Sequence, residues 1–192
     1  MADPITVRHR SLDEIMNGLD LVRSSPRGVG TLMLTVRRPD VGVREVLSVA
    51  ELDPAVGLVG DNWNQRPSSR TADETPHPDM QLNVMNSRFV ELIAGPDRDA
   101  WALAGDQLYL DLDLSFDAMP AGTRLAIGDR AVIEVTDQPH TGCAKFADRF
   151  GRDAHKLVWT DEAQQLRLRG LNARVIVGAT IRTGDTVRHL PA

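Results

Sequence analysis

The sequence predicts a mainly β fold, a β-barrel with a few short α-helices, and three observations point there. Short apolar runs recur, each bounded by glycine, the pattern of strands joined at tight corners. One unit, Gly122-Thr123-Arg124-Leu125-Ala126-Ile127-Gly128-Asp129, is echoed by Gly178-Ala179-Thr180-Ile181-Arg182-Thr183-Gly184-Asp185. Each leads into a further apolar run, so both read as strand, Gly-Asp turn and strand, the geometry of neighbouring hairpins in a closed or nearly closed sheet. The phosphate-binding glycine loops of nucleotide folds are missing; Gly28-Val29-Gly30 comes nearest and lacks the third glycine. At 192 residues the chain holds one well-buried core and is too short for two. With aromatics at 4% of the residues, that core must be aliphatic.

In chain order, the first element is a helix. Ser11-Leu12-Asp13-Glu14 is a capping box, and Leu12, Ile15, Met16, Leu19 and Val22 follow at helical spacing. Val29 to Val36 and Val43 to Ala50 are β-branched or apolar runs separated by Arg37-Arg38-Pro39-Asp40-Val41-Gly42, which reads as an antiparallel hairpin. Glu51 to Pro78 then shows no sustained period and is rich in Gly, Pro, Asn, Ser and Asp. A loop of that length in a compact domain is functional or disordered, and this one carries Trp63 and Gly60-Asp61. Asn86 to Ala94 is a helix stopped by Gly95-Pro96, and Asp97 to Ala104 a second short one ending at Gly105.

Beyond it, Leu108 to Leu114 alternates strictly, which puts leucines on one strand face and Tyr109, Asp111 and Asp113 on a solvated one. Thr141 can cap a helix that Gly151 closes, with Phe146 and Phe150 on one side and Cys143 in the first turn. Asp153 to Arg169 is charged and amphipathic, and Gly170 opens a last β run through Val177.

Charge narrows the function. The net charge is −5, and the 22 basic residues, of which only Lys145 and Lys156 are lysines, are dispersed among acids. That pattern argues against a nucleic-acid partner. There is no run of eighteen apolar residues and no basic-then-apolar start, so no membrane partner and a cytoplasmic location are expected.

The single cysteine, Cys143, cannot form an internal disulfide. At a helix start, with His140 and Lys145 nearby, a thiol is favoured as thiolate and suits nucleophilic or sulfur chemistry. A lone cysteine also serves as a small apolar packing residue, and the residues alone leave the two readings level. His140-x-x-Cys143 has no second Cys/His pair at ligand spacing, which counts against zinc. His140 lies too close in sequence to be assumed a catalytic base and reads as a local hydrogen-bonding residue. Gly60-Asp61 reads most simply as an Asx turn.

Taken in order, Gly57-Leu58-Val59-Gly60-Asp61, Gln81-Leu82-Asn83-Val84-Met85-Asn86, Gly122 to Gly128 leading into Val132-Ile133-Glu134-Val135-Thr136, Pro139-His140-Thr141-Gly142-Cys143 and Gly170-Leu171-Asn172-Ala173-Arg174-Val175 resemble the MOSC family, named after the C-terminal part of molybdenum cofactor sulfurases. The likeness implies a single MOSC-like domain over 1–192, with its core at about 28–188 and the helix 11–22 packed on it. It implies a barrel whose cysteine handles sulfur or binds the pterin-based molybdenum cofactor (molybdopterin). Cys143 matches the family cysteine, as catalytic thiol or, if molybdenum is bound, as metal ligand. Asp61 matches the Gly-Asp aspartate and is expected at the cofactor, with His140 and Lys145 as partners.

Three functions stay open. Cys143 could accept sulfur as a persulfide and deliver it to a cofactor or metal centre. It could ligate molybdenum in an oxidoreductase that reduces N-hydroxylated substrates. The barrel could instead bind small molecules without catalysis, with Cys143 buried and unreactive. The first two imply a partner that supplies sulfur or electrons, a pyridoxal-phosphate-dependent cysteine desulfurase or a molybdoenzyme.

Overall fold

Strand β1, Val29–Arg37, pairs with three others and so closes the sheet on itself. In the computed structural model, which describes residues 5–191, the other barrel strands are β5 (Leu82–Asn86), β6 (Leu108–Asp111), β7 (Arg124–Ile127), β8 (Ala131–Val135), β9 (Leu171–Val177) and β11 (Thr186–His189). The order runs β11-β7-β8-β9-β5-β6-β1 and returns to β11 through Val29↔Arg188 and Thr31↔Thr186, with β2 (Glu45–Leu47) attached outside on β1. The result is a closed barrel of seven strands, in which every pairing is antiparallel except β5 with β6. Gly30 sits at the closure because a Cβ there would overlap the Asp111 carbonyl of the neighbouring strand.

The parallel pair needs a crossover, which helices α2 (Ser87–Ala94) and α3 (Arg98–Trp101) supply. Asn86 makes the switch from strand to helix abrupt. Its side chain accepts from the Arg88 and Phe89 N–H groups at 2.9 and 3.2 Å, and its amide donates to Ser25 Oγ and the Leu112 carbonyl. Two apolar layers result. Alternate strand residues such as Leu32, Val84, Leu108, Leu110, Ile127 and Ile133 fill the barrel, while Leu34, Val36, Met85 and Tyr109 face outward into a second core. Helix α1 (Leu12–Arg23) closes that outer core with Ile15, Leu19 and Val22, beside α2 and α5 (Arg152–Leu157). The expected capping box is present, Ser11 Oγ accepting from Glu14 N and the Glu14 carboxylate accepting from Ser11 N. Among the described residues there are six α-helices, α4 (Ala144–Phe150) and α6 (Asp161–Gln165) completing the set, and none is long and apolar enough to cross a membrane.

Three expectations about local structure are corrected. The first hairpin is shorter than its hydrophobic runs suggest: β1 meets β2 at Thr35↔Leu47 to Arg37↔Glu45, after which β3 (Val49–Asp53) leaves for a second sheet, β10-β3-β4, with β10 (Ala179–Arg182) and β4 (Gly57–Leu58). For the same reason the echo at Gly178 to Asp185 is not a hairpin, whereas Arg124–Ile127 and Ala131–Val135 do pair as one. Across the Gly184 turn β10 goes to β3 and β11 goes to β1 and β7. Finally, the face carrying Tyr109, Asp111 and Asp113 is not open to solvent. Tyr109 is fully buried and donates to the Trp101 carbonyl at 2.8 Å, Asp111 pairs with Arg88, and Asp113 pairs with Arg27. Helices cover that face, which periodicity along one strand does not report.

Candidate functional site

One end of the barrel gathers polar residues that are distant in sequence. Arg38 follows β1, Asp106 and Gln107 precede β6, Asn83 begins β5, Gly170 and Asn172 lie at the start of β9, and the segment 136–143 leaves β8. Register brings them together, since Asn83 faces Asn172 and Val84 faces both Leu108 and Leu171. Arg38, Asp106, Gln107 and Asn172 are buried, so their polar groups must be satisfied inside the protein.

Asp61 lies at the bottom of this network. Arg38 donates to it from its backbone N, Nε and Nη2, each at 2.9 Å, and the Trp63 N–H adds the expected Asx turn at 3.0 Å. The Asp61 side chain is fully buried. Arg38 Nη1 goes on to Asn83 Oδ1 and the Gly105 carbonyl, Asn83 donates to Asn172, and Asn172 donates to the Gln138 carbonyl. Asp61 therefore fixes Arg38, and through the asparagines the segment that carries His140.

A second pair lies beside the first. Arg169 Nη1 reaches both oxygens of Asp106 at 2.9 and 2.8 Å, and Nη2 donates to the Ala104 carbonyl. Burial pushes the Asp106 carboxyl upward even against the pull of Arg169. His140 Nδ1 lies 3.4 Å from Asp106 Oδ1 but makes no hydrogen bond, so the expected local hydrogen-bonding role is not what this nitrogen shows. Burial, with the charges of Arg169, Arg38 and Arg70 nearby, holds His140 well below the usual histidine range and keeps the imidazole neutral. Gly170 makes room for this stack. At φ 99° it adopts a backbone conformation that disfavours side chains, and a Cβ there would overlap the Val84 carbonyl and sit 3.2 Å from His140 Nδ1.

Above His140 a cavity of about 170 Å³ opens, lined among others by His140, Arg167, Arg169, Phe116 and Trp159. Thr141 also lines it, and Gly142 presses against the end of α5, where a Cβ would be 3.0 Å from Val158. Cys143 is exposed, with a free thiol, which excludes a packing role. It is the N-cap of α4 and not a first-turn residue: its carbonyl accepts from Phe146 N and Ala147 N, its side chain makes no capping bond, and Thr141 does not cap. Phe146 and Phe150 are buried, and Gly151 closes the helix, as expected.

Of the residues singled out from sequence, His140 lines the cavity and Cys143 stands two residues past its wall at Thr141. Lys145 is exposed on α4, and Asp61 lies in the buried network; neither is part of the wall. Arg38, Asp106, Arg167 and Arg169 were not anticipated; among 22 dispersed basic residues nothing marks these arginines. Larger grooves of about 680 and 830 Å³ lie elsewhere, and no residue of the segment 136–143 lines them.

The sequence profile of the MOSC domain matches residues 95–188, the stretch that holds β6 to β9, the thiol and the Asp106–Arg169 pair. The chain carries a MOSC domain. Similar solved structures include the YuaD protein of Bacillus subtilis, 16% identical with a TM-score of 0.60 over 87% of this chain and 99% of that one. YiiM from Escherichia coli is 18% identical with a TM-score of 0.53, covering 84% and 70% of the two chains. YiiM from Geobacillus stearothermophilus is 16% identical at 0.52, covering 86% and 75%. At such identities the likeness is one of fold. No curated protein matches the sequence.

A MOSC domain is associated by name with the molybdenum cofactor, and the donors present suit one end of such a group. Of the five buried side-chain polar atoms without partners among the described residues, two, His140 Nδ1 and Arg169 Nε, lie together here, as expected where a polar ligand completes the set. Among the described residues no group of three or more His, Cys, Asp and Glu could hold a metal. The one thiol the chain offers is Cys143.

Proposed function

We propose that this MOSC domain is a sulfur carrier in molybdenum-cofactor chemistry, in which Cys143 accepts sulfur as a persulfide and delivers it to an acceptor lodged at the barrel mouth. The observation that carries the reading is that the only cysteine is free and exposed two residues beyond a cavity wall built of cationic and unpartnered polar groups. A packing cysteine would be buried.

The chemistry assigned to the thiol balances without an external oxidant. Cys143 thiolate attacks the outer sulfur of a cysteine desulfurase persulfide, the donor cysteine leaves as thiolate, and Cys143 holds the persulfide. Passing that sulfur on as sulfide takes two electrons, which a dithiol supplies as it closes to a disulfide. His140 and Arg169 would hold the polar end of the acceptor, and neutral His140 could take part in hydrogen bonding without adding charge. Bound there, the molybdenum cofactor would supply the metal centre that receives the sulfur, and Cys143 would be the chain's ligand toward it.

The test is persulfide labelling. Wild-type protein incubated with a cysteine desulfurase and cysteine should acquire one labelled persulfide per chain, and Cys143→Ser none. Labelling that survives in Cys143→Ser, or wild type that never labels while its thiol reacts with a thiol reagent, would remove the carrier role.

A further inference from the structure

The cavity beside Cys143 contains a charge that nothing in the chain balances. Arg167 is only 8% exposed, donates to the Met119 carbonyl, and lies over Phe116 with its guanidinium carbon 3.8 Å from the ring centroid. Among the described residues no carboxylate comes within 4.0 Å of it. Loss of water alone pulls its pKa down to about 10, the mark of a buried cation without a counter-ion. The neighbouring Arg169 differs, since Asp106 answers its charge. Asp137, the carboxylate on the cavity wall, is exposed and takes a hydrogen bond from the Gln138 side chain.

The backbone is strained at the same residue. Arg167 has φ 47°, one of two non-glycine residues in the left-handed region among those described. Strain of this kind is kept where the surroundings or the function demand it. The cavity walls add a second chemistry, because Phe116 and Trp159 are 49% and 48% exposed, large apolar surface held out at the rim. At about 170 Å³ the space equals the share of roughly six waters.

We infer that this cavity is a receptor for a single-ring aromatic acid, its carboxylate paired with Arg167 and its ring held against Phe116 and Trp159. The inference does not depend on the carrier reading, since Cys143 is not part of the cavity wall and binding needs no sulfur chemistry. Arg167 is here a specificity-determining residue, selecting charge where the aromatic rim selects a ring.

Calorimetric titration of the purified protein with benzoate, benzamide and inorganic phosphate tests it. Benzoate should bind, benzamide about tenfold more weakly because it lacks the charge, and phosphate more weakly than benzoate because it lacks the ring. Arg167→Gln should weaken benzoate about tenfold or more, and Trp159→Ala about threefold. Should Arg167→Gln fail to fold, the benzamide comparison and Trp159→Ala decide. Cys143→Ser should bind benzoate as wild type does. Equal binding of benzoate and benzamide, phosphate binding as tight as benzoate, unchanged benzoate affinity in folded Arg167→Gln, or loss of benzoate binding in Cys143→Ser would each overturn the assignment. Failure of persulfide labelling with benzoate binding intact would remove the carrier role and leave this receptor standing.

Discussion

Arg169 holds both oxygens of Asp106 with a single nitrogen, at 2.9 and 2.8 Å, and so leaves its Nε buried with no partner at the cavity wall. The pair is fully desolvated, the Asp106 side chain being 0% and that of Arg169 8% exposed. Removing one partner strands the other. Asp106→Asn is expected to cost about 3–5 kcal/mol in urea denaturation, while the double variant Asp106→Leu/Arg169→Met should recover most of that loss. Additive losses in the double variant would mean that the two residues do not act as a pair.

Gly170 lies between a strand carbonyl and the His140 ring at φ 99°. Gly170→Ala combines backbone strain with overlap, and its expected cost is about 2–4 kcal/mol with a shifted His140 environment. Thermal melting and the His140 ring signals in a proton NMR spectrum check both parts. An alanine variant as stable as wild type would show that the strand can move aside.

His140 gives stability a pH dependence whose sign follows from its depressed pKa. The unfolded chain takes up a proton near the ordinary histidine value of about 6.5, while the folded chain resists protonation until far lower pH. Stability contributed by neutral His140 is therefore complete above about pH 6.5 and is lost as pH falls below it, by up to about 1.4 kcal/mol per unit. The difference in stability between wild type and His140→Gln should shrink steadily from pH 7 to pH 5 as wild type loses ground. A difference constant over that range would place the imidazole in water.

Arg167→Gly removes a buried guanidinium that no carboxylate answers and a left-handed backbone strain, along with a hydrogen bond to Met119 and the stacking on Phe116. Gains and losses are each about 1–3 kcal/mol and oppose one another, so the variant is expected to lose less than about 3 kcal/mol relative to wild type in thermal melting. A loss above about 3 kcal/mol would mark Arg167 as a support of the fold.

Much of the architecture is legible along the chain. The capping box at Ser11, the helix stop at Gly95-Pro96, the Arg124–Ile127 and Ala131–Val135 hairpin and the β run opened by Gly170 are local signals, and local hydrogen bonding and turn chemistry decide them. Strand Leu82–Asn86 is harder to read, because Asn83 and Asn86 interrupt its apolar pattern for reasons that lie elsewhere: one joins the buried network, and the other caps a helix. The second echo misleads because a Gly-Asp turn specifies a reversal of the chain without naming the strand that receives it.

By itself the sequence determined a β-barrel with short helices, the MOSC resemblance and a single cysteine between a β run and a helix, since these depend on periodicity, turns and residue identity. Only the tertiary structure decided that Asp61 is occupied with Arg38, that Cys143 is exposed at a helix cap, and that Arg169 is balanced by Asp106 while Arg167 is balanced by nothing. The reason is burial. An arginine in a sequence is one solvated charge among twenty, and only its distance from water and from a carboxylate, set by strands far apart in the chain, makes it a support or a binding group.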